Sequence, residues 1–240
     1  MKVKFIGTTG LAAVVAAALL TLGGCATQQA PYDYAAFTAA RPTSIVVLPP
    51  LNHSVDVKAT HSVMSQATIP LAESGYYVFP VALVDETFKQ NGLTSAADIH
   101  EIAAPKLRGI FGADAALYLD VKQYGTSYAV ISSETRVTAQ AKLVDLRSGT
   151  QLWAGQATAS SAEGDSGGGG GLVGLLVKAA VRQILETIVD RGHDIAGIAS
   201  ARLLTAGVYN GILPGPRAPQ VAGAAGAVGA AAQAPARPAQ

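Results

Sequence analysis

Ser44-Ile45-Val46-Val47-Leu48-Pro49-Pro50 is the stretch that sets the fold class. A short apolar run rich in β-branched side chains, stopped by two prolines, predicts a fully buried strand. Working outward, Lys58 to Ser74 places Val63, Met64, Ala67 and Leu71 on one helical face, with Pro70 expected to kink or restart the helix and Gly75 to end it. Tyr76 to Val81 reads as a second strand, and Leu83 to Gln90 as a short helix closed by Asn91-Gly92. Two more helical pieces follow, Ser95 to Ile102 behind the N-cap candidate Thr94, and Pro105 to Phe111.

From Asp114 the pattern changes. Asp114 to Tyr124, Tyr128 to Leu146 and Gln151 to Ala159 alternate Val, Thr, Tyr and Leu in the manner of strands. The Asp145-Leu146-Arg147-Ser148-Gly149 stretch supplies a hairpin turn with a glycine free to take positive φ. A linker from Ser160 to Gly171, with five consecutive glycines, precedes helices at Leu172 to Asp190 and Asp194 to Leu204. The predicted order is βαβααβββαα: a single mixed α/β (α+β) domain with a mixed sheet of about five strands packed with helices.

Both ends lie outside that domain. Lys2 and Lys4 make a positive n-region, Leu11 to Leu22 an apolar core too short to span a bilayer, and Leu22-Gly23-Gly24-Cys25 a lipobox. Residues 1–24 are therefore expected to be a lipoprotein signal peptide, with Cys25 the acylated residue. Residues 25–41 read as a lipid-anchored tether, 42–213 as the domain with a Gly-rich loop at 160–171, and 214–240 as a disordered Ala/Pro-rich tail. Ala26 stands where an Asp would often hold a lipoprotein at the inner membrane, so the outer membrane is the expected address, with the domain facing periplasm or cell surface.

The stretches Ser44 to Asn52, Leu71 to Val81, Phe111 to Ala115 and Leu143 to Gly149 together resemble a family of bacterial lipoproteins of the neisserial surface-antigen type. The resemblance spans Tyr32 to Gly215 and fails in the tail. It implies a domain similar to the N-terminal domain of TolB and the periplasmic domain of the curli-secretion lipoprotein CsgG, with a CsgG-like envelope lipoprotein as partner. It brings no catalytic residues.

Composition narrows the function. Between Pro42 and Ala206 there are 12 Lys/Arg against 15 Asp/Glu with no basic cluster, which argues against nucleic acid as a partner. One cysteine excludes an internal disulfide. Gly164-Asp165-Ser166-Gly167-Gly168 spells a serine-protease nucleophile motif, but it opens a flexible glycine run and lacks a matching histidine setting. Gly169, Gly171 and Gly174 fit a dinucleotide fingerprint with no strand feeding it. His53, Asp56 and His61 suggest a metal site, yet they are expected as surface or hydrogen-bonded groups. His100 is expected on a solvated helix face, and His193 in an interhelical turn where Asp194 caps the next helix. No catalytic residue, metal or cofactor is therefore assigned.

Two candidate surfaces remain. Asn52 to Thr60 follows the carboxyl end of a buried strand, and Asn52, His53, Asp56 and Lys58 are its candidate partner-binding residues. Leu172 to Asp190 is apolar around most of its circumference, more than one sheet face buries. Leu172, Leu175, Leu176, Ile184 and Ile188 are its candidate self-association residues, in a homodimer or larger oligomer; packing within the monomer or against lipid are the other fates. The function read from the sequence is a non-catalytic accessory or scaffold in envelope transport or assembly. A small-ligand-binding envelope lipoprotein is the alternative, and an envelope hydrolase comes after it.

Overall fold

In the computed structural model, residues 30–128, 133–164 and 191–219 are described, and Asp33–Gln240 forms one compact unit separate from Met1–Tyr32. The expectations for residues 1–24, Cys25, Ser166, the glycine run, Leu172 to Asp190 and most of the tail fall outside the described residues.

The run that opened the sequence reading is the buried strand β1 (Ser44–Val47), with Ile45, Val46, Val47 and Leu48 at most 1 % exposed. It lies between β3 (Tyr77–Val78) and β4 (Ala115–Tyr128), parallel to both. Pro49-Pro50 interrupts the strand but does not end it. The chain resumes as β2 (Leu51–Asn52), parallel to β4 at Asp120 and Val121, with Leu48, Pro49 and Pro50 set opposite only Tyr118 and Leu119. The prolines lack the ladder donor, and this local irregularity takes them out of the pairing. β4 then pairs antiparallel with β5 (Ser133–Asp145), and β5 with β6 (Gln151–Ser160). Among the described residues the sheet has six strands, one more than expected, in the order β3-β1-β4-β5-β6 with β2 also against β4.

Other differences from the sequence reading have local causes. The expected tether is folded from Ala35: α1 (Ala35–Ala40) buries Phe37, and the Tyr34 hydroxyl donates to Gly211 O at 2.6 Å. α2 (Ala59–Glu73) runs unbroken through Pro70, which sits in the last turn where it forfeits a single backbone bond. β3 is two residues long because Tyr76 N–H still serves Leu71 O at the helix end and Pro80 already leads into α3 (Val81–Gln90). α4 (Ala96–His100) follows Ser95 without a side-chain cap, so Thr94 is not its N-cap; α5 (Ala104–Phe111) carries Pro105 in its first turn. His193 and Asp194 lie inside α6 (Arg191–Leu204), not in a turn before it. The first tail residues are strapped down as well. Gly215 N–H donates to Ser74 O at 2.7 Å and Arg217 N–H to Gly75 O at 3.1 Å.

The layers explain the patterning. α2 and α6 pack together, and α6 covers β5 and β6. Val137, Ala139, Ala141 and Leu143 are buried in alternation, while Thr138, Gln140 and Lys142 between them keep contact with solvent. On that second face Thr138 bonds Thr158 at 3.0 Å and Gln140 bonds Gln156 at 2.7 Å, as cross-strand pairs on a solvated sheet do. The β1 side is covered on both faces, with α3 and α5 contributing Phe88 and Phe111 to an edge-on aromatic cluster with Phe79.

Candidate functional site

Asn52 ends β2, and the chain turns back from there into α2. Its amide oxygen accepts from Ser54 N–H at 2.9 Å and Ser54 Oγ at 2.7 Å, and its nitrogen donates to Asp56 O at 2.8 Å. The Asp56 carboxylate takes Lys58 N–H at 2.9 Å. His53 turns toward the sheet, with Nε2 3.0 Å from Asp120 Oδ1, while Asp120 Oδ2 meets Lys122 Nζ at 2.5 Å. Of the predicted partner-binding residues, Asn52 and Asp56 stiffen the loop and His53 fastens it to β4. Beside the exposed His53 and Lys58 the loop turns two apolar side chains outward, Val55 at 101 % exposure and Val57 at 83 %. A search of the sequence for polar contacts does not point to these valines. The available signal was the pair of β-branched residues in a turn rich in Asn, Ser and Asp.

His53, Asp56 and His61 do not gather; among the described residues no group of three His, Cys, Asp or Glu side chains could hold a metal. His100 is not on a solvated face. Its Nε2 lies 2.9 Å from Pro49 O and its ring meets Tyr118 edge-on at 5.1 Å. Burial holds its pKa below the ordinary histidine value despite that carbonyl.

Among the described residues, the arrangement resembling a nucleophile and base is Ser62 Oγ, 2.9 Å from His193 Nδ1. The Gln66 amide nitrogen lies 2.7 Å from His193 Nε2. Ser62 Oγ also accepts from Tyr124 OH at 3.1 Å, and Ser62 is only 7 % exposed. This network ties α2, α6 and β4 together.

At the far end of the sheet Asp114 makes a second knot. Its Oδ2 accepts from Thr43 N–H at 3.0 Å, Thr43 Oγ1 at 2.7 Å and Ser44 Oγ at 3.2 Å, and its Oδ1 from Arg147 Nη2 at 2.8 Å. Burial works to raise its pKa, but these bonds and the Arg147 charge outweigh it and hold the carboxyl below the usual range. Three stretches that carried the family resemblance, around Ser44, Asp114 and Arg147, meet here.

The family described as "Putative lipoprotein GNA1162-like" matches residues 32–217. The chain belongs to this family. A GNA1162-like relative, "Putative lipoprotein NMB1124/NMB1162" of Neisseria meningitidis serogroup B, is 51 % identical over 202 residues, covering 84 % of this chain and 93 % of that protein. The crystal structure of lipoprotein GNA1162 from Neisseria meningitidis is similar with a TM-score of 0.50 at 52 % identity, across 61 % of this chain and all of that one. The mixed α+β fold agrees with that of GNA1162.

Proposed function

We propose that this protein is an outer-membrane lipoprotein, anchored through acylated Cys25, whose domain acts as a non-catalytic accessory or scaffold in envelope transport or assembly. The observation that carries the reading is the loop from Asn52 to Lys58, whose hydrogen-bonded turns hold Val55 and Val57 out to solvent. A preorganised loop with an apolar tip is suited to seating in a partner, because the cost of ordering it is met before binding. Ser62 and His193, the arrangement nearest to catalysis, are engaged in packing α2 against α6 and β4.

Self-association through Leu172, Leu175, Leu176, Ile184 and Ile188 completes the scaffold reading, and a CsgG-like lipoprotein is the envelope partner that the family resemblance suggests. Crosslinking in intact cells tests the partner role: Val55→Asp with Val57→Asp should abolish a specific crosslinked species while circular dichroism is unchanged. An identical crosslinking pattern would defeat it. Fractionation of Cys25→Ser cells tests the anchor, since a processed, membrane-bound product would contradict acylation.

A further inference from the structure

β6 (Gln151–Ser160) is the last strand of the sheet, paired on one side only among the described residues. Arg202 Nη1 donates to Thr158 O at 2.7 Å, so that carbonyl points away from β5. Backbone groups alternate in direction along an antiparallel strand, so the N–H and C=O of Gln156 and Ala154 point the same way as those of Thr158. Among the described residues nothing bonds the backbone of Gln156 or Ala154 on that side. α1 packs against β6 and Trp153 Nε1 donates to Asn210 O at 2.9 Å, but the middle of the strand stays open: Gln156 is exposed, and Ala154, Ala157 and Thr158 are half-buried.

Open edges are ordinarily guarded by lysines, prolines, bulges or a covering element, because a row of free N–H and C=O groups is a template for another strand. From Gln151 to Ala162 there is no charged residue and no proline, and the one irregularity of β6 lies at its start, opposite Leu143 and Val144. The charges nearest the edge are turned elsewhere. Arg202 is paired with Glu163, Arg136 with Glu134, and Lys142, opposite Ala154, leans inward over the Tyr118 ring of β4. A partner recognised by charge finds little here to read. A second copy of β6, set antiparallel about a two-fold axis at Gln156, fits the open stretch: Gln156 meets its own counterpart and exchanges both backbone bonds with it, and Ala154 meets Thr158. The Thr158 carbonyl has a second lone pair beside the Arg202 bond. Gly155 then faces Ala157, a pairing of small residues on the α6 side. Gly155 has no room for more, since a Cβ there would stand 2.4 Å from Trp153 Cζ2 and 3.2 Å from Leu203 Cδ1 of α6.

We propose that two copies of this chain associate through the β6 edge from Ala154 to Thr158, antiparallel about a two-fold axis at Gln156, so that their sheets join into one. The solvated face of each sheet runs on into the other, with Gln140 and Gln156 of both copies in a single row across the seam. This surface is separate in the chain from the Leu172–Asp190 face of the scaffold reading and does not depend on it.

The full chain in intact cells tests the register. With Gln156→Cys, a short bismaleimide should give a species of twice the chain mass, because paired strands lie about 4.8 Å apart and the two thiols face each other. Gln140→Cys, one strand inward in the same row, sets the thiols three strand spacings apart, about 14 Å, and should give no product with a reagent too short for that span. The parent chain is the blank. In detergent, the purified full chain should scatter light as a dimer, and Gln156→Pro should make it a monomer with unchanged circular dichroism, because the N–H it removes points away from β5 and a proline is tolerated at such edge positions. Gln156→Lys, a change at an exposed side chain, should part the copies in the same way by setting like charges against each other at the seam. A monomeric parent, equal products from Gln140→Cys and Gln156→Cys, or a crosslinked species of another mass would overturn the proposal, the last giving the edge to a different protein. A dimer that survives Gln156→Lys and parts on Leu176→Asp would overturn it too, and would leave self-association to the helix.

Discussion

The two halves of the sheet are built on different terms. Around β1 the strands are parallel and helices close both faces, so Ile45, Val46 and Val47 are wholly buried on either side. From β4 to β6 the strands are antiparallel, α6 covers one face, and the other carries Thr138, Gln140 and their cross-strand partners in contact with water. The difference shows where the domain's stability is concentrated. Substitution in the parallel half has no solvated face to which a misfit side chain can turn.

The sharpest test of that contrast is Val46→Asp, which places an unpaired charge among fully buried neighbours. That cost approaches the whole stability of a domain, and circular dichroism should show an unfolded chain. A folded Val46→Asp protein would break the comparison.

Next in size is Asp114→Ala. It orphans Thr43, Ser44 and Arg147 at once and should cost about 2–3 kcal/mol, from the strength of hydrogen bonds to a charged group. The same carboxylate predicts an acid limb. Its folded-state pKa lies below the unfolded value of about 3.9, so its stabilisation is fully present above that pH and is lost as the pH falls through the folded-state value. Urea midpoints against pH should fall more steeply below about pH 4 in the parent than in Asp114→Ala.

Gly75→Ala tests the strap at the end of α2. Gly75 has φ +91°, and a Cβ there would stand 2.0 Å from Ala218 N. The strained backbone costs of order 1–3 kcal/mol, and residues 215–219 should become protease-sensitive while the sheet persists. The smallest effect belongs to the solvated face. Gln140→Ala removes one exposed pairing with Gln156 and should shift stability by no more than about 0.5 kcal/mol, within the scatter of repeated thermal melts. A loss as large as that of Asp114→Ala would show that this face is covered.

The legible part of the molecule was the part with strong periodicity. β1, α2 and β6 are legible close to their observed limits, since alternation and apolar runs record which face is buried, while the β4–β5 connection falls later than expected: Tyr128, expected to open β5, ends β4, and β5 begins at Ser133. β2 was hidden because proline argues against a strand, while a single extra residue opposite Tyr118 and Leu119 lets the chain step past the pair and resume. In the candidate loop the polar residues also have internal partners, which their pattern in the sequence does not reveal. Asn52 and Asp56 bond within the loop, and only coordinates could show that Val55 and Val57 are left outside.

By itself the sequence determined the class of fold, the lipobox reading of Cys25 and the family resemblance, because these depend on residue type and spacing along the chain. Tertiary structure alone decided that Asp114 joins Thr43, Ser44 and Arg147, that His193 serves Ser62, and that Gly215 returns to Ser74. Each of these contacts joins residues at least 33 positions apart, and hydrogen bonds reaching across such distances are fixed by how the layers pack, which no local pattern encodes.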